Sequence, residues 1–281
     1  MIPQTFEYTA PATLDAALEA LASGEHKLLA GGQSLIPLMK LRLAAPDELI
    51  DLGRIPGLDE ISESGGTLRI GAMATHHAIE TSPAIRGFCP LLAEVAGRIG
   101  DVQVRKMGTI GGSIAHADPA SDYPAALLAL EARVRLVSKR GERTLVYANF
   151  LLDAFTTALE PDEMVRQVEA PVEGSSEGYR YEKVPHPASG FAVVGVAVRV
   201  QARGGKITMA RIAVTGMGAH AFRDEAVEKL LVDGAPISQA VAVLGEGREA
   251  NSDTYASGDY RRHLARVSAA RALTTAISRV A

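Results

Sequence analysis

Two short glycine-rich segments, each placed where an apolar stretch gives way to a helical one, constrain this chain more than any other feature. The first is AGGQSL, at residues 30–35, directly after the apolar residues 27–30. The second is GTIGGSIAHADPASD, at residues 108–122, which holds three glycines together with Thr109, Ser113, His116, Asp118 and Asp122. Glycine lets a chain turn tightly and lets a ligand approach the backbone, and consecutive N–H groups in such a turn converge on an anion. Gln33 and Ser34 add side-chain donors at the first turn, while Asp118 and Asp122 add acceptors for sugar-type hydroxyls at the second. Either turn alone is better explained by chain reversal. Together they point to a dinucleotide with a long diphosphate. Neither is G-x-G-x-x-G or G-x-x-x-x-G-K-[ST], so Rossmann and P-loop readings fail. Gly216-Met217-Gly218 lacks a third glycine and reads as a turn.

The periodicity around these turns is that of a mixed α and β chain. Residues 13–23 predict an amphipathic helix capped by Thr13 and stopped by Gly24. A strand over 27–30, a helix over 35–42 and a strand over 48–51 complete a small strand–helix–strand–turn–helix–strand unit. Residues 58–61 and 67–70 flank Ser-Gly-Gly as a hairpin, and helices are expected over 75–80, 84–100 and 123–130, then a strand over 132–138. The polar stretch 173–178 is the expected domain boundary. Beyond it, 191–201 and 206–215 form a hairpin through Gly204-Gly205, followed by helices over 222–231, 237–244 and 259–280.

Composition narrows the function. Lys and Arg number 29 against 33 Asp and Glu, a net charge of −4 without a basic cluster, so nucleic acid is not an expected partner. The lone cysteine, Cys89, excludes a multi-cysteine zinc site or an iron–sulfur cluster held by this chain alone. No secretory pattern or membrane-length apolar run is seen, so the expectation is a cytoplasmic chain with no membrane span.

The segments AGGQSLIPLMKLR, VRKMGTIGGSIAHADPASDYPAALLAL and DTYASGDYRRHLA resemble the FAD-binding medium subunit of molybdenum hydroxylases, the family of carbon monoxide and xanthine dehydrogenases. The resemblance spans essentially the whole chain. It implies an α+β fold: two FAD-binding subdomains of the vanillyl-alcohol oxidase type, about 1–55 and 56–172, then a domain of antiparallel sheet plus helices over 173–281. It implies that Leu28, Leu29, Ala30, Gly31, Gly32, Gln33, Ser34 and Leu35 wrap the FAD diphosphate, and that Thr109, Gly111, Gly112 and Ser113 form a second phosphate-side cradle. Ile110 and Ala115 would pack near the flavin, and Asp118 and Asp122 would make polar contacts. Ile99, Val165 and Lys183 would fall at further cofactor positions. The implied partners are a molybdenum-cofactor large subunit, a small subunit with [2Fe–2S] clusters, and an external acceptor such as NAD or a quinone. Ser113 stands where the family commonly has Asn, and VPHPASGF, at 184–191, replaces a basic run.

Other readings of the same residues are a metal site at His116, Asp118 and Asp122, and a hydrolase using Ser34, His116 and Asp122. A stand-alone flavin oxidoreductase and a cofactor-free scaffold are the remaining two. The first lacks a second His cluster and the second lacks the second glycine of a nucleophile elbow. Arg261, Arg262, Arg266 and Arg271 are expected on a solvated helical face, paired with acids such as Asp253 and Asp259.

Overall fold

The computed structural model describes every residue except Met1, Glu25, Glu173, Ser175 and Ala281. The first unit is β1 (Glu7–Thr9), α1 (Leu14–Leu21), β2 (His26–Leu29), α2 (Leu35–Lys40) and β3 (Glu48–Asp51), as its periodicity predicts. Its strands form a parallel sheet in the order β1-β3-β2. Thr13 caps α1, its hydroxyl accepting from the Ala16 N–H at 3.2 Å, and Ala17, Leu18 and Leu21 turn inward against Ile50 and Leu52.

The second unit begins with the hairpin of β4 (Ile61–Ser64) and β5 (Thr67–Gly71), turned by Gly65 and Gly66, both at positive φ. Its first strand starts at Ile61 rather than at residue 58. The helices α3 (His76–Thr81), α4 (Pro83–Phe88), α5 (Pro90–Ala96), α6 (Val102–Met107), α7 (Ile110–His116) and α8 (Tyr123–Ala129) follow. The single helix expected over 84–100 is two, because Pro90 cannot donate to the preceding turn and drives Cys89 to φ −151° and ψ 65°. Then come β6 (Arg133–Ser138), β7 (Gly141–Val146), α9 (Tyr147–Phe150), β8 (Leu151–Asp153), β9 (Thr156–Thr157) and β10 (Met164–Pro171). An antiparallel sheet of order β4-β5-β10-β6-β7 carries this unit, so the hairpin meets β10 from a hundred residues downstream.

The last unit is an antiparallel sheet of β11 (Glu177–Pro185), β12 (Ala192–Arg203), β13 (Lys206–Thr215) and β14 (Phe222–Arg223), with α10 (Glu225–Val232), α11 (Ile237–Ala242) and α12 (Gly258–Ser278). Of the polar break at 173–178, Glu173 and Ser175 lie outside the described residues, and Glu177 and Gly178 already belong to β11. Period-two alternation sorts the two faces of β12. Val194, Val196, Val198 and Val200 pack under the helices, whereas Ala197, with Ala213 of β13, joins the core of the second unit. Small residues on that face allow close approach: a Cβ on Gly195 would lie 2.2 Å from the Tyr181 hydroxyl, so Gly195 makes room for the Tyr181 ring.

Arg261 is not on a solvated face. It is buried, and its guanidinium donates to Val193 O at 2.6 Å and Gly216 O at 2.8 Å and pairs with Asp253. It thereby ties α12 to the ends of β12 and β13. Arg262 pairs with Asp259 as expected, Arg266 donates to Leu244 O, and Arg271 is exposed.

Candidate functional site: a cavity between the two glycine segments

A cavity of about 1110 Å³ runs between the first unit, the second unit and the loop between β11 and β12. That is beyond the usual size of a site for a drug-sized ligand and fits an extended dinucleotide. The two glycine segments meet on its floor. A Cβ on Gly31 would lie 2.1 Å from Met107 O and 2.7 Å from Gly108 Cα, so only glycine permits this backbone-to-backbone approach.

The two segments offer different chemistry. In the first, Gly32 sits at φ +69° and no described residue accepts from the N–H groups of Gly31, Gly32, Gln33, Ser34 or Leu35. Ser34 makes no cap to α2, so its hydroxyl is also available. A run of free N–H groups around a left-handed glycine is an anion nest, and it suits a diphosphate. The second segment is the start of α7, with its backbone donors occupied. Ile110 N–H and Gly111 N–H donate to Ala74 O (3.1 Å) and Ala72 O (2.8 Å), and Gly112 N–H donates to Thr109 Oγ1 at 3.1 Å. Gly111 is required because its Cβ would lie 2.5 Å from that of Ala72. What α7 offers a ligand is close approach at Gly112 and the hydroxyls of Thr109 and Ser113. Ser113 Oγ lies 2.9 Å from Ser121 Oγ.

Of the residues proposed from sequence, Leu28, Ala30, Gly31, Gly32, Gln33, Ser34 and Leu35 line the cavity. So do Ile99, Thr109, Gly111, Gly112, Ser113, Ala115, Asp118, Asp122 and Val165. Leu29, Ile110 and Lys183 are not on its wall: Ile110 is in the core, and Lys183 stands behind Asp122. Asp122 Oδ2 accepts from Lys183 Nζ at 2.8 Å and Oδ1 from the Tyr181 hydroxyl at 2.5 Å, while Lys183 also donates to Arg98 O at 2.8 Å. This buried network joins β11 to the cavity wall. Burial pushes the Asp122 carboxyl up, opposed by the charge and hydrogen bond of Lys183, then by Tyr181 and Arg98. Burial and the Asp122 charge push the Tyr181 hydroxyl well above its ordinary range.

His116 rests against the Phe155 ring (5.2 Å between centroids), and Asp118 Oδ1 accepts from Ala120 N–H at 2.8 Å. With Asp122 held by Lys183, these three side chains are engaged separately and form no ligand cluster or triad with Ser34. Sequence reasoning missed His76, Val104 and Leu159, all on the cavity wall. It also missed the individual roles of Ser189, Gly190 and Phe191, which reach the wall from the β11–β12 loop. That loop is tight: His186 N–H donates to Phe191 O at 2.7 Å and Gly190 N–H to His186 O at 2.8 Å.

Comparison with known proteins decides the family. Residues 4–173 match the family described as the FAD binding domain in molybdopterin dehydrogenase, and residues 179–276 match the CO dehydrogenase flavoprotein C-terminal domain. The chain belongs to this FAD-binding family of molybdenum hydroxylase medium subunits. It is 38% identical to the carbon monoxide dehydrogenase medium chain of Hydrogenophaga pseudoflava over 100% of both chains. It is 35% identical to the 6-hydroxypseudooxynicotine dehydrogenase complex subunit alpha of Paenarthrobacter nicotinovorans, covering 99% of this chain and 97% of that one. Among solved structures, a Hydrogenophaga pseudoflava carbon monoxide dehydrogenase lacking the Mo-pyranopterin moiety superposes with a TM-score of 0.97 at 39% identity over 100% of both chains. The quinoline 2-oxidoreductase of Pseudomonas putida 86 gives 0.95 at 32% identity over 99% of each. The α+β fold, an FAD-binding domain followed by a C-terminal domain, is therefore as expected, FAD is the cofactor, and the chain is an oxidoreductase subunit. Among the described residues no helix is long and apolar enough to cross a membrane.

Proposed function

We propose that this chain carries electrons from [2Fe–2S] clusters on a small partner subunit to an external acceptor such as NAD or a quinone. Substrate oxidation would take place at molybdenum on a large partner subunit. In this reading the chain is cytoplasmic, residues 1–172 hold the cofactor (subdomains 1–55 and 56–172), and residues 173–281 form the C-terminal domain. The observation that carries it is the run of free N–H groups at residues 31–35 on a cavity of about 1110 Å³, in a chain matching medium subunits along its length.

Bound FAD would supply the redox chemistry, accepting electrons singly and releasing them as a pair. The chain's own residues bind, orient and enclose. The N–H groups of residues 31–35 and the Ser34 hydroxyl would hold the diphosphate. Thr109, Gly112 and Ser113 would bound it on the α7 side. Ile99, Val165 and Phe191 would give the flavin apolar walls that limit water. Asp122, fixed by Lys183 and Tyr181, would present a held carboxylate rather than a mobile one.

The test is reconstitution with the partner subunits and anaerobic reduction by substrate while the flavin absorbance is followed. Bleaching that requires all three subunits is the expected result, and turnover by this chain alone would overturn the proposal. In Gly112→Asp a carboxylate enters between Thr109 Oγ1 and Ala30 Cβ, 3.0 and 3.4 Å from the added Cβ. The folded variant should purify without FAD; unchanged flavin content would remove α7 from the binding site.

A further inference from the structure

His76 is a buried imidazole on the cavity wall to which nothing above assigns a role. It opens α3, and its backbone N–H donates to Gly108 O at 2.9 Å, next to the isolated bridge between Thr75 and Thr109. Its ring edge fills the space a side chain at 108 would need: a Cβ on Gly108 would lie 2.6 Å from His76 Nε2. The ring therefore sits immediately beside the meeting point of Gly31 with Met107 and Gly108.

The other ring nitrogen decides the tautomer. His76 Nδ1 lies 3.2 Å from the hydroxyl of Tyr123, which is fully buried. Among the described residues this is the only hydrogen-bond partner of that hydroxyl. Were Nδ1 protonated, the Tyr123 O–H hydrogen would be buried with no acceptor, which costs more than the alternative. Tyr123 therefore donates to Nδ1, and the ring proton resides on Nε2. No described residue accepts from Nε2, although the ring lines the cavity. A neutral, oriented N–H donor is thus left without a partner among the described residues, held against Gly108 on a residue that lines the cavity beside the anion nest. Burial, reinforced by the Arg105 charge, holds the imidazole neutral by lowering its pKa to about 4.

We propose that His76 is a further cofactor-binding residue: its Nε2–H, oriented by the Tyr123 hydroxyl, donates to an oxygen of the diphosphate–ribityl stretch of FAD. Tyr123 is the positioning residue that fixes which nitrogen donates. This rests on FAD occupying the cavity as read above. The role of His76 is not visible in the sequence, because Tyr123, the partner that sets its tautomer, stands 47 residues away.

The test uses the full chain freed of flavin and titrated with FAD, with binding read by flavin fluorescence and calorimetry. His76→Phe with Tyr123→Phe replaces the polar pair by two rings of similar volume, so apo stability should hold near the wild-type value. FAD binding should weaken about 10- to 100-fold, as for loss of a hydrogen bond to a charged group. His76→Gln keeps an N–H donor near the same place and should lose less than about fivefold. Nitrogen NMR of ¹⁵N-histidine wild-type chain needs no variant: it should show Nε2 protonated and Nδ1 bare, with the Nε2–H signal moving on FAD addition. A double variant with wild-type affinity, or a ring protonated at Nδ1, overturns the proposal while leaving FAD in the cavity. Failure of the wild-type chain to bind FAD overturns both.

Discussion

Lys183→Met isolates the network behind the cavity. The Lys183 and Asp122 side chains are 2% and 4% exposed, so solvent screens the pair little. Removing the ammonium leaves the Asp122 carboxylate buried, with the Tyr181 hydroxyl as its one remaining close donor among the described residues, and strips Arg98 O of the Lys183 donor. Breaking a buried pair from one side costs about 3–5 kcal/mol. The loss has a pH signature. Burial already pushes Asp122 up, and Lys183 supplies the two strongest opposing effects, so the variant carboxyl must rise further. A carboxyl whose folded pKa exceeds its unfolded value makes the native state bind more protons, so stability falls as pH rises through the interval between the two. Lys183→Met should therefore be most destabilised at pH 8 and partly recover toward pH 5. The chain has no Trp, so urea unfolding is best followed by far-UV circular dichroism. Adding Asp122→Asn removes the stranded charge and should recover more than about half of the loss, flattening the pH dependence. A single-variant cost below about 1 kcal/mol, or one unchanged by Asp122→Asn, would refute the reasoning.

His76 predicts the opposite slope. Its folded pKa of about 4 lies below the unfolded 6.5, so the stability its neutral burial contributes is present above pH 6.5 and lost as pH falls toward 4. The two values imply a loss of about 2–3 kcal/mol by pH 4.5, which His76→Gln should lack in paired urea titrations. Gly31→Ala should cost more than about 2 kcal/mol and release FAD, because its Cβ meets Met107 O at 2.1 Å and backbone must move; retained flavin with an unchanged melting temperature would contradict the contact. Arg261→Met should destabilise by about 3 kcal/mol in thermal melts, since Val193 O and Gly216 O lose their buried donor; a change under 1 kcal/mol would return Arg261 to a surface role.

Local physics made part of this readable in advance. Thr13 as a cap, Gly204-Gly205 as a hairpin turn and the period of β12 and β13 each depend on neighbours within a few residues, and those elements lie where the pattern put them. The strands of 141–171 and β11 were missed because mixed burial blurs their alternation: β7, at a sheet edge, is half-exposed along its length, and β10, at the centre of the same sheet, carries a register shift between Val165 and Gln167. Arg261 failed for another reason. A helix of 21 residues with arginines and alanines on several sides has no dominant face, so which arginine enters the protein is decided by the carbonyls at the ends of β12 and β13.

The site divides along the same line. The first glycine segment announces its chemistry locally, because the free N–H groups and Gly32's left-handed turn belong to consecutive residues. The second does not: its N–H groups look free in sequence and are taken by Ala72 and Ala74, thirty-eight or so residues upstream. Gly111 and Gly31 are needed for what they touch, and both partners are distant in the chain. His76 becomes a donor to the cavity only because Tyr123, on a helix reached 47 residues later, occupies its other nitrogen. On the reading proposed above, binding of a long cofactor depends on two backbones pressed together without side chains between them, and the groups that fix that contact come from the elements least predictable from either motif alone.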